Sequence, residues 1–126
     1  MKILFTILFG GLFISGNDGL VNSVWTCKIA DGCIDILRFK PNSVALAYDC
    51  EVNYTFNCRY KIVKDTLFVI EKDDSHPEDS GKVTYRKMKY VLKKNILVPF
   101  ENTELSGKWR TVKVKFDKGF IYKRMK

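Results

Sequence analysis

Val44-Ala45-Leu46-Ala47-Tyr48-Asp49-Cys50 and Phe56-Asn57-Cys58-Arg59-Tyr60-Lys61-Ile62-Val63 both change character at every second residue. A period of two belongs to β-strands, because successive side chains point to opposite faces of the pleat. Each stretch therefore predicts one face turned toward a core. That face carries Val44, Leu46, Tyr48 and Cys50 in the first and Phe56, Cys58, Tyr60 and Ile62 in the second.

The same signal recurs along the chain at intervals of about a dozen residues. Trp25, Cys27 and Ile29 alternate with Val24, Thr26 and Lys28, and Leu37 and Phe39 set the inward phase of the next run. Further runs cover 67–72, 83–93, 96–100, 109–116 and 120–125, giving eight or nine strands. Residues that tolerate turn geometry separate them: Asp31-Gly32, Pro41-Asn42, Lys64-Asp65, Lys94-Asn95 and Asp117-Lys118-Gly119. Only 73–81 and 101–107 read as longer connections, and no stretch keeps a helical period. Short connections make sequential strands neighbours, and closing such a meander removes both unpaired edges. The expectation is an all-β, small antiparallel meander barrel, with an open sandwich as the alternative. In the run from Val83 the apolar phase switches between Tyr85 and Met88, which predicts a β-bulge at Arg86-Lys87.

Residues 1–16 have the layout of a signal peptide: Lys2, an apolar run over 3–14, then Ser15 and Gly16. The run is short of the roughly 20 residues that a helical span needs and is interrupted by Gly10-Gly11. Residues 17–126 are then one exported domain, secreted or periplasmic, with no transmembrane span in the mature chain.

Cys27, Cys33, Cys50 and Cys58 read as a disulfide framework in such a compartment; a zinc site lacks the usual paired short spacings. Three pairings are open. A two-residue turn at Pro41-Asn42 sets Lys40 against Ser43, Leu37 against Leu46 and Cys33 against Cys50, which favours Cys33 with Cys50 and leaves Cys27 with Cys58. All four sulfurs are expected at one rim.

The formal charge of +8 is unevenly spread. From Lys82 to Lys126 there are 14 basic and 3 acidic residues, a net of +11, against 7 basic and 11 acidic from Asn17 to Gly81, a net of −4; Lys2 supplies the remaining unit. Basic residues interleave with aromatics at 85–90 and 120–124, but an exported chain meets anionic envelope components rather than nucleic acid. Nucleophile–base pairs, phosphate loops and regular metal-donor spacings are missing; His76 stands alone in an acidic stretch. The reading is noncatalytic, with no metal and no cofactor. Inward aromatics Trp25, Tyr48, Phe56 and Tyr60 are cavity candidates for a small apolar ligand, or else they fill the interior, since a barrel of about eight strands permits either.

The leader, Ser23-Val24-Trp25 at the first strand, the meander and Arg124 in the last strand together resemble the lipocalin-like, or calycin, barrels, particularly small members of the bacterial envelope. That resemblance implies that Trp25 closes the base of the barrel with Arg124 stacked near it, and that the function is binding of a small apolar or amphipathic ligand. Trp25-Thr26-Cys27 before Asp31-Gly32, with the late Gly119-Phe120, also resembles small periplasmic lysozyme inhibitors. This second likeness implies a protein-binding module, such as an inhibitor of a cell-wall enzyme.

Overall fold

A computed structural model of the chain describes residues 19–73, 84–106, 108–112 and 120–126. The expected signal peptide at 1–16, the acidic stretch with His76 and the turn at Asp117-Lys118-Gly119 lie outside them. Among the described residues nine strands form one antiparallel sheet: β1 Val24–Ala30, β2 Cys33–Lys40, β3 Val44–Asp49, β4 Tyr54–Val63, β5 Thr66–Asp73, β6 Thr84–Lys93, β7 Ile96–Ser106, β8 Lys108–Val112 and β9 Tyr122–Arg124. Sequential strands pair from β1 to β7, and β9 joins β7 to β1, so the sheet closes. β8 pairs with β7 along 102–106 while β9 pairs at Ile96 and Leu97, so β8 and β9 share one stave. The molecule is thus an eight-stranded closed barrel, the architecture expected from the alternation and the turns.

Large buried side chains fill one end, which we call the base. Trp25, Phe39, Leu67 and Leu97 are fully buried there. The Trp25 and Phe39 rings meet edge to face at 6.5 Å, and Phe39 meets Tyr60 at 4.8 Å. Such contacts add to the burial of aromatic area. The chain before β1 plugs this end with Leu20, held by Asn22 N–H donating to Phe39 O at 2.8 Å and Phe39 N–H donating to Ser23 O at 3.0 Å. Trp25 Nε1 donates to Ser23 Oγ at 2.8 Å, and Ser23 Oγ donates to the Leu20 carbonyl. Ser23 therefore gives the buried indole its partner. Arg124 lies over the Trp25 ring at 5.7 Å, the stacking implied by the resemblance.

Four expectations are corrected. The turn after β2 has three residues, not two: Asn42 and Ser43 both adopt left-handed φ, and Lys40 pairs with Val44. A one-residue slip transfers a whole strand to its other face. The inward set of β3 is accordingly Ala45, Ala47 and Asp49, partners of residues that share their face, such as Phe39 and Leu37, and Tyr48 turns outward. Small alanines suit an interior already occupied by Phe39, Phe56 and Tyr60.

The bulge is displaced as well. β6 pairs without interruption to β5, and the register shift falls where Lys89 opposes Glu101 and Tyr90 opposes Pro99, leaving Phe100 of β7 as the extra residue. Arg86 consequently keeps the inward phase of Met88 and Tyr90. β7 also runs through to Ser106, so 101–106 is strand where a loop was expected.

Cys33 and Cys50 form a disulfide with Cα atoms 5.4 Å apart. Cys27 and Cys58 are buried thiols in mid-strand on β1 and β4, not at the rim and not bonded to each other. Two staves separate those strands, which puts them roughly 14 Å apart along the sheet at the usual strand spacing of about 4.8 Å, beyond the roughly 7 Å that a disulfide can bridge.

Candidate functional site

Toward the opposite end, the mouth, the inward phases change chemistry. Asp35 follows the phase of Leu37 and Phe39 on β2, Glu71 that of Leu67 and Val69 on β5, and Arg86 that of Met88 and Tyr90 on β6. Because Glu71 is the register partner of Arg86, strand pairing alone delivers the two charges to the same place. Arg86 Nη2 donates to Glu71 Oε1 at 2.6 Å, with the Glu71 side chain only 10% exposed. Charge-assisted pairing of this kind is what allows a carboxylate to be kept away from water.

These residues border a cavity of about 200 Å³. Phe56, Val69, Met88, Tyr90 and Tyr122 supply apolar wall, and Asp35, Asp49 and Glu51 stand nearer the opening with Phe120. Tyr90 and Tyr122 meet edge to face at 6.0 Å. The Cys33–Cys50 disulfide fastens the rim, and Cys50 N–H donates to Asp35 Oδ1 at 2.9 Å, coupling that fastening to a cavity carboxylate.

Burial dominates the titration of the site. It pushes the Glu71 carboxyl up, against the Arg86 charge and hydrogen bond that pull it down. It also raises Asp35, aided by Asp49 and Glu51 and opposed by the Cys50 N–H and Arg86. Tyr90 and Tyr122 are pushed upward by burial and stay neutral hydroxyls at ordinary pH. The Cys27 thiol rises to about 11 and that of Cys58 to about 12, again mainly by burial, so both stay protonated near neutrality. Two buried atoms of residues that line the cavity, Arg86 Nε and Asn102 Oδ1, have no hydrogen-bond partner among the described residues. Among those residues no group of histidine, cysteine and acidic side chains is arranged to hold a metal ion.

Of the four aromatic candidates, Phe56 lines the cavity and Tyr48 reaches its rim from the outer face, where its hydroxyl donates to Asn53 Oδ1 at 2.8 Å. Trp25 and Tyr60 belong to the packed base. The composition of the alternation missed Asp35, Glu71, Arg86 and Asn102, although the first three were visible as charges on apolar phases. No helix among the described residues is long and apolar enough to cross a membrane. Comparison with known proteins finds no match: no family model, no curated protein and no solved structure matches the chain.

Proposed function

We propose that this protein is a noncatalytic, exported, lipocalin-like barrel that binds one small amphipathic molecule in the mouth cavity. The observation that carries this reading is the partly open space of about 200 Å³ whose lining combines apolar side chains with an ion pair and with two residues that each carry a buried polar atom without a partner among the described residues. Binding sites combine apolar lining with a few convergent polar groups in this way. Its size is modest. An apolar cavity of about 150 Å³ admits benzene, so the occupant is a single ring or a short chain with a polar head, not a full-length lipid.

The outer wall supports a second contact with the same envelope setting. On the outside of β4 to β6, Lys61 and Lys89 lie over the Phe68 ring at 5.3 and 5.6 Å, beside Arg59 and Lys87 on the neighbouring register positions. A basic face of this kind attracts anionic surfaces in a salt-dependent manner.

The test is a thermal-shift screen of small amphipaths, combined with mass spectrometry of an organic extract of the purified protein. A bound compound, or a saturable rise in melting temperature, supports the reading. If nothing is bound and nothing stabilises the fold, the cavity reading fails and a protein partner at the rim takes its place, where exposed Ile34 and Val52 flank the disulfide.

A further inference from the structure

We propose that the molecule taken by the mouth cavity is a protonated amine carried on a small apolar body. This rests on the cavity-binding reading above and adds the chemical class of the ligand.

Charge is the first ground. The protein carries +8 overall, yet among the described residues the cavity gathers Asp35, Asp49, Glu51 and Glu71 against a single cation, Arg86. Arg86 is engaged by Glu71 at 2.6 Å, which leaves three carboxylates toward the opening. Among the described residues none of those three has a lysine or arginine at salt-bridge distance. Partial burial first, and then repulsion from Asp49 and Glu51, raise the Asp35 carboxyl against the Cys50 N–H and Arg86, and an entering cation relieves that cost.

Hydrogen bonding is the second ground and is independent of the first. Asn102 is one of the residues lining the cavity, and its buried Oδ1 has no partner among the described residues. A buried acceptor left unsatisfied is costly, and it is satisfied by a donor. An ammonium offers up to three N–H donors, whereas a carboxylate offers none. The aromatic wall is the third. Phe56, Tyr90, Tyr122 and Phe120 present rings to the same space, and ring faces attract cations and pack apolar groups.

The experiment uses three probes with one body: 3-phenylpropylamine, 3-phenylpropanol and 3-phenylpropionate, titrated calorimetrically into the purified protein at neutral pH. The amine is expected to bind at least about tenfold more tightly than the carboxylate, the factor expected from one favourable charge contact near a protein surface. The double variant Asp35→Asn, Asp49→Asn is expected to lose most of that preference while keeping its affinity for the alcohol. Asn retains the oxygen that accepts from Cys50 N–H at position 35 and from Glu51 N–H at position 49, so the rim keeps its hydrogen bonds.

Equal binding of all three probes, or preference for the carboxylate, overturns the amine inference and leaves the cavity reading standing. No binding of any probe to folded protein overturns both. Amine preference that survives in a folded double variant also overturns the inference, because the Asp35 and Asp49 carboxylates are then not its source.

Discussion

At the base of the barrel, Trp25, Phe39 and Tyr60 meet edge to face around fully buried Leu67 and Leu97. At the mouth the same strands, on the same inward phases, carry Asp35, Glu71 and Arg86 around open space. The base satisfies its buried indole N–H locally, through the chain from Trp25 Nε1 to Ser23 Oγ to Leu20 O. The mouth satisfies Glu71 by pairing across two strands and leaves Asn102 Oδ1 without a partner among the described residues. A barrel of this size thus divides its interior: one half supplies the apolar burial that stabilises the fold, and the other half can afford charges and vacancy.

The sharpest way to break this comparison is Trp25→Ala. Truncating a buried aromatic costs about 3–5 kcal/mol, and here it also removes the surface under Arg124 and the donor to Ser23. Urea denaturation is expected to show a loss of that size. A loss below about 1 kcal/mol, the level of a surface change, would mean that the base does not dominate stability.

Opening the Cys33–Cys50 bridge is expected to rank second. Closing 17 residues of chain stabilises by about 3 kcal/mol when the bond is unstrained. Because Cys50 N–H holds Asp35, the variant Cys33→Ser, Cys50→Ser is also expected to weaken ligand binding at the mouth, whereas Trp25→Ala at matched temperature below unfolding is not. Denaturant midpoints and probe titrations read the two effects separately.

Third is the ion pair. Arg86→Met strands the Glu71 carboxylate, which costs 3–5 kcal/mol in a fully buried pair; with 38% of the Arg86 side chain exposed, about 1–2 kcal/mol is expected after allowing for solvent screening. Adding Glu71→Leu is expected to recover most of it. If the double variant is less stable than the single, the pair contributes net stability and the mouth resembles the base more than its open space suggests.

How much of this was legible follows the same division. Strand positions, the turns at Asp31-Gly32, Lys64-Asp65 and Lys94-Asn95 and barrel closure were readable, because alternation and turn chemistry are local. The face of β3 was not: Pro41-Asn42 looks like a two-residue turn, and only the left-handed φ of both Asn42 and Ser43 reveals the third residue that exchanges Tyr48 for Ala47. Arg86 was read as a bulge because an inward charge breaks the apolar pattern, and its partner Glu71 lies 15 residues away across a hairpin. The Cys33–Cys50 bridge was favoured from an approximate register, but excluding Cys27 with Cys58 required knowing how many staves separate them.

The smallest expected effect concerns pH, and it sets the two ends apart by sign. Burial raises both Glu71 and Asp35 above their ordinary values of 4.5 and 3.8, against Arg86 in both cases and against the Cys50 N–H at Asp35. Asp49 faces both groups, Glu51 faces Asp35 and Asp73 faces Glu71, all in the same upward direction. Between the ordinary and the raised values the folded protein binds more protons than the unfolded chain, so these two groups make stability rise as pH falls through the raised values and level off below the ordinary ones. General repulsion on a chain of +8 opposes this as acid adds positive charge. The informative quantity is therefore the difference between the protein and Asp35→Asn or Glu71→Gln. Melting temperatures measured from pH 7 to pH 4 are expected to converge with those of each variant as pH falls, the parent gaining relative to the variants, while affinity for a protonated amine declines over the same window. A parent that instead loses stability relative to Asp35→Asn on acidification would show that the carboxylate is held by favourable partners rather than strained by burial, and the mouth would then be built on the same principle as the base.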